Sequence, residues 1–243
     1  MDWSKAKNII LIGLVFTNIF LLLQYVVQYR HLMHESDAIS DYTINILSKN
    51  NIEVDCKIPS EIPKLSPLTV SYSDLSQSEQ QKLIENADTV KPENRNMKGY
   101  SKAANKLLSD NGLMDDGTSV ERVTESGDNF IVEYGNYYSN IPLEESKMFL
   151  TYEAGKLTDI TRHWILPAEE GERKIDVISP LSALLGLMSS LDTNRKTVIE
   201  EIKLVYYVTP YDSDRGILYD TAFPAWAIKY NGGQIKYIST IEL

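Results

Sequence analysis

The sequence is poor in the residues that build disulfides and metal sites, because it has one cysteine and three histidines among 243 residues. A lone Cys56 cannot form a disulfide within the chain, and no cluster of cysteine and histidine supplies the ligands of a structural zinc site. Cys56 follows an alternating stretch, Ile-Glu-Val-Asp, which favours a small strand residue. A reactive or intermolecular thiol remains the alternative.

Basic side chains are also scarce. The chain has 24 Lys and Arg against 34 Asp and Glu, a formal net charge of -10. Nucleic-acid binding through phosphate neutralisation needs a basic surface, so we expect no nucleic-acid partner. A mean hydropathy of -0.25 excludes a polytopic membrane protein, but it leaves room for one membrane span beside a polar remainder.

The sequence lacks the usual catalytic signatures: it has no phosphate loop, dinucleotide fingerprint, HExxH or GxSxG motif. His31 and His34 have no further ligands nearby in the sequence, and His163 lies in a strand-like stretch. The segments 115–117 and 212–216 are most simply turns, since the second lacks the bidentate glutamate of a calcium loop. We therefore predict no catalytic residues, no cofactor and no metal, and we expect that the protein is not an enzyme.

One long apolar run stands out against this background. No charged residue occurs from Ile9 to Val27, and as a helix this run is about 28 Å long, close to the thickness of the hydrocarbon core of a bilayer. No small-x-small cleavage site follows it, which favours an uncleaved anchor over a signal peptide. We predict a transmembrane helix over residues 9–29. Lys5 and Lys7 favour a cytoplasmic tail of residues 1–8, with the remainder extracytoplasmic.

The span carries polar and small residues that a simple anchor does not need. At 100° per residue, Gly13, Thr17 and Gln24 lie within about 40° of one another, and Asn18 lies about 100° away. Small residues let helices approach closely, and amide side chains in hydrocarbon gain by bonding across to another helix. We predict that these four residues contact a partner within the membrane.

The remaining sequence predicts an α+β fold of two units, each a helix followed by an antiparallel sheet. The polar segment 167–174 is the predicted boundary, which gives residues 30–166 and 167–243. In the first unit the pattern predicts helices at 36–49, 75–87 and 100–109, and strands at 52–55, 68–72, 119–124, 129–138, 147–152 and 157–165. In the second it predicts a helix at 180–191 and strands at 197–209, 225–230 and 234–241.

Several short stretches are similar to one family. The opening Met-Asp-Trp-Ser-Lys precedes a span with Asn-Ile-Phe-Leu, and the ectodomain contains Asn-Ile-Glu-Val-Asp, Pro-Ala-Trp-Ala-Ile and Asn-Gly-Gly. Together with the order of tail, span and α+β ectodomain, they resemble the YycI (WalI) family, which is known from Gram-positive Firmicutes.

The resemblance implies a regulator of a two-component system. It implies a single-pass protein of the cell membrane that acts with a YycH-like single-span partner on a YycG/WalK-like sensor histidine kinase, and so on cell-wall metabolism. The residues leave two other functions open. One is an anchored extracytoplasmic ligand-binding or inhibitor module, which would need a pocket or groove. The other is an anchored hydrolase, which would need two carboxylates or a nucleophile and base in a cleft.

Overall fold

The structure is a computed structural model that describes residues 13–25, 40–87, 92, 94–208 and 219–239. It contains five helices and a large mixed sheet within these residues, which confirms the predicted α+β class. The chain divides into two compact units. Unit 1 comprises Met1–Val54 with Met188–Val198, and unit 2 comprises Asp55–Leu187 with Ile199–Leu243.

Unit 1 contains helix α1 (13–25), helix α2 (40–49) and strand β1 (Ile52–Val54). Asn51, in the left-handed region at φ 60°, turns the chain from α2 into β1. Its carbonyl accepts from Thr197 N at 2.9 Å, and its side-chain amide donates to the carbonyl of Thr193 at 2.8 Å. Asparagine tolerates this backbone conformation better than most residues, so one residue both ends the helix and ties the turn to 193–197.

The remaining elements belong to unit 2 apart from the boundary residues Met188, Thr197 and Val198. The helices are α3 (Gln77–Ala87), α4 (Met97–Asp110) and α5 (Pro180–Met188). The strands are β2 (Lys64–Leu65), β3 (Leu68–Tyr72), β4 (Thr118–Ser126), β5 (Asn129–Tyr138), β6 (Ile141–Glu153), β7 (Lys156–His163), β8 (Ile165–Glu170), β9 (Ile175–Asp176), β10 (Thr197–Val208), β11 (Tyr219–Tyr230) and β12 (Gln234–Ser239).

Among the described residues of unit 2, the main sheet has the strand order β4-β5-β6-β10-β11-β3-β8, with β7 beside β6 and β12 beside β11; β2 and β9 form a separate pair. Most registers are antiparallel, whereas β6 and β10 meet in parallel at Leu143 and Tyr206. Strands from both sequence-predicted units therefore join one sheet. The boundary near residue 167 stays a prediction, and Pro167 itself lies in β8, opposite Val70 of β3.

Helices α3 and α4 pack on one face of the β4–β7 meander, as the sequence predicts. Their apolar residues share a buried cluster with the inward side chains of the four strands. At its centre the ring of Tyr100 stacks on Phe130 at 4.0 Å and lies 5.1 Å from Tyr152. Asn96 caps α4 by accepting from Gly99 N at 2.8 Å.

Helix α5 lies on one face of the β10–β12 part of the sheet. Ser179 caps it by accepting from Ser182 N at 3.0 Å, as expected from the Ser-Pro start. Trp226 of β11 is buried and donates its indole N–H to the carbonyl of Ile178 at 2.9 Å. Side chains alternate along a strand, so the residues next to Trp226 point to the opposite face.

Candidate interaction surfaces

Helix α1 carries all four residues predicted to contact a partner. Gly13, Thr17, Asn18 and Gln24 are helical and exposed, and Thr17 Oγ1 donates to the carbonyl of Gly13 at 2.9 Å. Within the described residues, no helix combines the length and apolarity needed to cross a bilayer. Residues 9–12 and 26–29 of the predicted span lie outside the described part, as does the predicted tail. The span and its contacts therefore stay predictions.

His163 and Asp115, which the sequence analysis considered as candidate functional residues, both contact neighbouring side chains or backbone groups in the structure. Nδ1 of His163 lies 3.1 Å from Oδ1 of Asp74, whose carboxylate also accepts from the backbone N–H of Trp164. Asp115 accepts from the indole N–H of Trp164 at 2.9 Å. Among the residues placed in the structure, no three His, Cys, Asp or Glu form a possible metal site. His31, His34 and the segment 212–216 lie outside them.

A buried arginine holds this region together, and no sequence motif predicts it. The Arg162 side chain is 5% exposed. Its Nη1 donates to the carbonyl of Ser73 at 2.6 Å and to its hydroxyl at 2.9 Å, and its Cζ lies 5.1 Å from the ring centre of Trp164. Burial lowers the pKa of the guanidinium, and the carboxylate of Asp115 counteracts this. These contacts of Arg162 hold the junction of β7 and β8 against the loop after β3.

Strand β6 contains a bulge, residues 144–146, which includes two glutamates. Lys147 pairs with Gly135 of β5 and Leu143 with Asn136, so residues 144–146 have no partner on β5. Ser146 is buried, and its hydroxyl accepts from the N–H of Ile165 at 3.0 Å. The Asn136 amide donates to the carbonyl of the same Ile165 at 2.7 Å. These bonds fix the bulge against the start of β8.

The two glutamates of the bulge differ in their partners. The Glu144 side chain is 9% exposed, and its Oε2 lies 3.1 Å from Nζ of Lys203 in an ion pair. The same Oε2 of Glu144 has no hydrogen bond within the described residues, so the ion pair is its main polar contact. Glu145 is half-buried. Burial raises the pKa of Glu145, nearby His163 lowers it, and the charge of Glu144 raises it further.

Two tyrosines stack on the sheet face opposite α5. The rings of Tyr207 on β10 and Tyr237 on β12 are 4.0 Å apart and nearly parallel. They cover Val205, Ala225 and Ala227, which are fully buried. Tyr207 lies opposite Phe223 of β11 and Tyr237 opposite Ala227, so the two rings meet across the small side chain of Ala225. Burial raises the pKa of both phenols. The charge of Glu145 adds to this rise at Tyr207, and the charges of Glu144 and then Glu145 add to it at Tyr237.

A small cleft adjoins this stack. It has a volume of about 220 Å³ and is lined by Tyr207, Phe223, Pro224, Ala225, Tyr237 and Ser239. Phe223 is 36% exposed and Ile235, further along the same face, is 44% exposed. We call Tyr207, Phe223 and Tyr237 together the tyrosine face. It could not be predicted, because the stack depends on the β10–β11–β12 register.

A second cleft of about 530 Å³ lies between two turns, 115–117 and 139–140. Its lining is mostly polar, with Asn136, Tyr137 and Tyr138 contributing from β5. Gly117 approaches the β5 backbone closely, since a Cβ there would lie 2.1 Å from the carbonyl oxygen of Tyr137. The sequence identified 115–117 as a turn, and the structure confirms that role.

Three comparisons place the chain among known proteins. It is similar to an uncharacterised protein from Eubacterium rectale, with 11% identity over 63% of this chain and 56% of that protein and a TM-score of 0.40, which is too low to assign a fold. The chain thus corresponds to little more than half the length of that protein. No curated protein matches it. The YycI protein family matches over residues 34–241. The chain therefore belongs to the YycI family, a family of regulatory accessory proteins of the YycG/WalK kinase system.

Proposed function

We propose that the chain is a single-pass membrane regulator that modulates a YycG/WalK-type sensor histidine kinase together with a YycH-like partner. The family match over residues 34–241 carries this proposal. The uncharged run from Ile9 to Val27 supports a membrane anchor, and Lys5 and Lys7 before it support a cytoplasmic N-terminus. The α+β ectodomain then lies on the extracytoplasmic side, where it can meet the other membrane-anchored proteins.

The mechanism is a bias between two kinase conformations. A partner shifts such an equilibrium only by its difference in affinity for the two states. A coupling of about 1–3 kcal/mol changes activity roughly 5- to 150-fold. The exposed Asn18 and Gln24 of α1 offer amide groups whose bonds to another helix depend on how that helix is rotated, so they suit a conformation-dependent contact.

The decisive experiment combines crosslinking with a kinase assay. The intact chain is crosslinked in native membranes, and the captured proteins are identified. In parallel, kinase autophosphorylation is measured in liposomes with and without the chain. We expect capture of the kinase and a YycH-like protein, and a several-fold change in autophosphorylation. A chain that captures neither protein and leaves the kinase unchanged contradicts the proposed function.

A double variant tests the membrane contact separately. Asn18→Leu with Gln24→Leu removes the two amides but keeps an apolar helix, so we expect weaker co-purification with the kinase system. Ile19→Leu, which lies about 100° or more from both residues around the helix, is the matched control. Unchanged association of the double variant contradicts the intramembrane contact while leaving an ectodomain contact possible.

The ligand-binding alternative has less support. Ligand pockets usually measure about 300–1,000 Å³ and are mainly apolar. The aromatic cleft at about 220 Å³ is smaller than this, and the cleft of about 530 Å³ is lined mostly by polar turn residues. Neither offers the enclosed apolar site that a small ligand requires.

A further inference from the structure

We propose that Asn231 is a site of spontaneous covalent modification, at which the chain converts its own asparagine into aspartate or isoaspartate with the carboxylate of Glu200 as the general base. The reaction consumes only water, and the inference does not depend on the proposed function. It rests on the Asn-Gly-Gly turn that joins β11 to β12 and on the strand that lies beside this turn.

The turn has the sequence and the exposure that this chemistry requires. Asparagine is chemically labile, and it is most labile before glycine, since glycine has no side chain to hinder attack by its own backbone nitrogen. Asn231 is followed by Gly232, and residues 231–233 are exposed to water. A Cβ added at Gly232 would meet no other atom within 4 Å, so the turn has room for the five-membered ring of the intermediate.

A carboxylate is held on the attacking nitrogen. The backbone N–H of Gly232 donates to Oε1 of Glu200 at 2.5 Å. Glu200 is the extra residue of a bulge in β10, since the register with β11 shifts between Ile199 and Glu201. Bulges redirect side chains, and this one directs Glu200 to the turn. A carboxylate that accepts this N–H makes the nitrogen a better nucleophile and can take its proton.

The reaction balances without an oxidant or a reductant. The nitrogen of Gly232 attacks the side-chain carbonyl carbon of Asn231, and its proton passes to Glu200. The bond from that carbon to Nδ2 then breaks, and Glu200 gives the proton to the leaving nitrogen, which departs as ammonia. Water opens the resulting cyclic imide at either carbonyl, which yields aspartate or isoaspartate. Both products add a negative charge, and isoaspartate also lengthens the backbone of the turn by one carbon.

A second Asn-Gly pair in the same chain has a different environment. The N–H of Gly112 donates to the carbonyl of Ser109 at 3.1 Å, and this acceptor is neutral. The side-chain amide of Asn111 donates to the carbonyl of Leu107 at 2.7 Å, which holds it against the end of α4. Asn111 therefore has the same labile sequence without the base, and we expect it to react more slowly in the folded chain.

The test compares the two sites in one sample of the full-length chain in liposomes, incubated at physiological temperature and pH. Trypsin releases peptides 230–236 and 107–122, each with one asparagine. Mass spectrometry measures the mass gain at each asparagine over time, and an isoaspartyl methyltransferase detects isoaspartate in peptide 230–236. We expect conversion at Asn231 at least about tenfold faster than at Asn111. In urea the two rates should converge, and a difference that persists there would come from the local sequence and overturn the proposal.

A pair of variants tests the base directly. Glu200→Gln keeps the size of the side chain and an acceptor for the N–H but cannot take the proton, so conversion at Asn231 should slow by about tenfold or more. Glu201→Gln, at the next exposed acid of β10, is the matched control and should leave the rate unchanged. Thermal unfolding verifies that both variants are folded. A rate in Glu200→Gln equal to or above that of wild type overturns the proposal, as does a folded chain in which Asn231 reacts no faster than Asn111.

Discussion

At the scale of single residues, Arg162 and Glu145 are two charges withdrawn from water to different degrees. Arg162 is buried and donates to Ser73, with Asp115 and the ring of Trp164 nearby, whereas its Nε has no hydrogen-bond partner among the described residues. Glu145 is half-buried, and burial raises its pKa while nearby His163 lowers it. A buried charge stabilises local structure only where its partners compensate the loss of water. Arg162 therefore belongs to the scaffold, and Glu145 costs stability when it is ionised.

We predict that Arg162→Met destabilises the protein. The substitution keeps an apolar stem but removes two charge-assisted hydrogen bonds to Ser73, and it leaves that carbonyl without its donor. The expected loss is about 2–3 kcal/mol in the free energy of unfolding, measured by urea denaturation. Arg122→Met, at an exposed position of β4, should change it by less than about 0.5 kcal/mol. Equal effects of the two substitutions would contradict a structural role for Arg162.

The raised pKa of Glu145 predicts that its effect on the stability of the protein depends on pH. In the folded chain this carboxyl binds its proton more tightly than in the unfolded chain, so the folded state loses stability as pH rises from the ordinary glutamate pKa through the raised one. Glu145→Gln removes this loss, and we expect the variant to be more stable than wild type at pH 7 and equal to it at low pH. Urea denaturation of both proteins over this pH range measures the difference. A difference that does not depend on pH would contradict the explanation.

At the scale of elements, the sequence predicts most helices and strands, and it fails where long-range contacts decide the structure. Strands β3 and β5 match their predicted bounds, and Asn-Gly-Gly forms the turn before β12, since alternation and turn residues are local signals. Strand β6 begins at Ile141, six residues before its prediction, because residues 144–146 break the alternation and are held by Ile165 and Lys203 of distant strands. The single-sheet arrangement depends on similar contacts and was not predicted.

The bulge in β6 can be tested at its buried anchor. Ser146→Ala removes the hydroxyl that accepts from the N–H of Ile165, and it leaves that buried donor unpaired. We expect a loss of about 1–3 kcal/mol in the free energy of unfolding. Ser48→Ala, on the exposed side of α2, is the control, and a Ser146 variant as stable as this control would contradict the anchoring role.

At the scale of the whole molecule, the excess of acidic residues acts on association more than on the fold. A net charge of -10 repels other acidic proteins and attracts basic ones over about 10 Å at 0.1 M salt. Charge on this scale sets the rate of encounter, while the packed contacts of an interface set how long the complex lasts.

The excess of acidic residues predicts how salt changes the formation of the complex. Raising the ionic strength from about 0.05 M to 0.5 M should slow association with a basic partner surface by about tenfold, because screening removes the long-range attraction. Dissociation should change much less, since contacts between packed residues are screened less than exposed charges. Rate measurements on the full-length chain with the kinase system in liposomes separate the two effects. An association rate that does not depend on salt would contradict electrostatic steering by the acidic ectodomain.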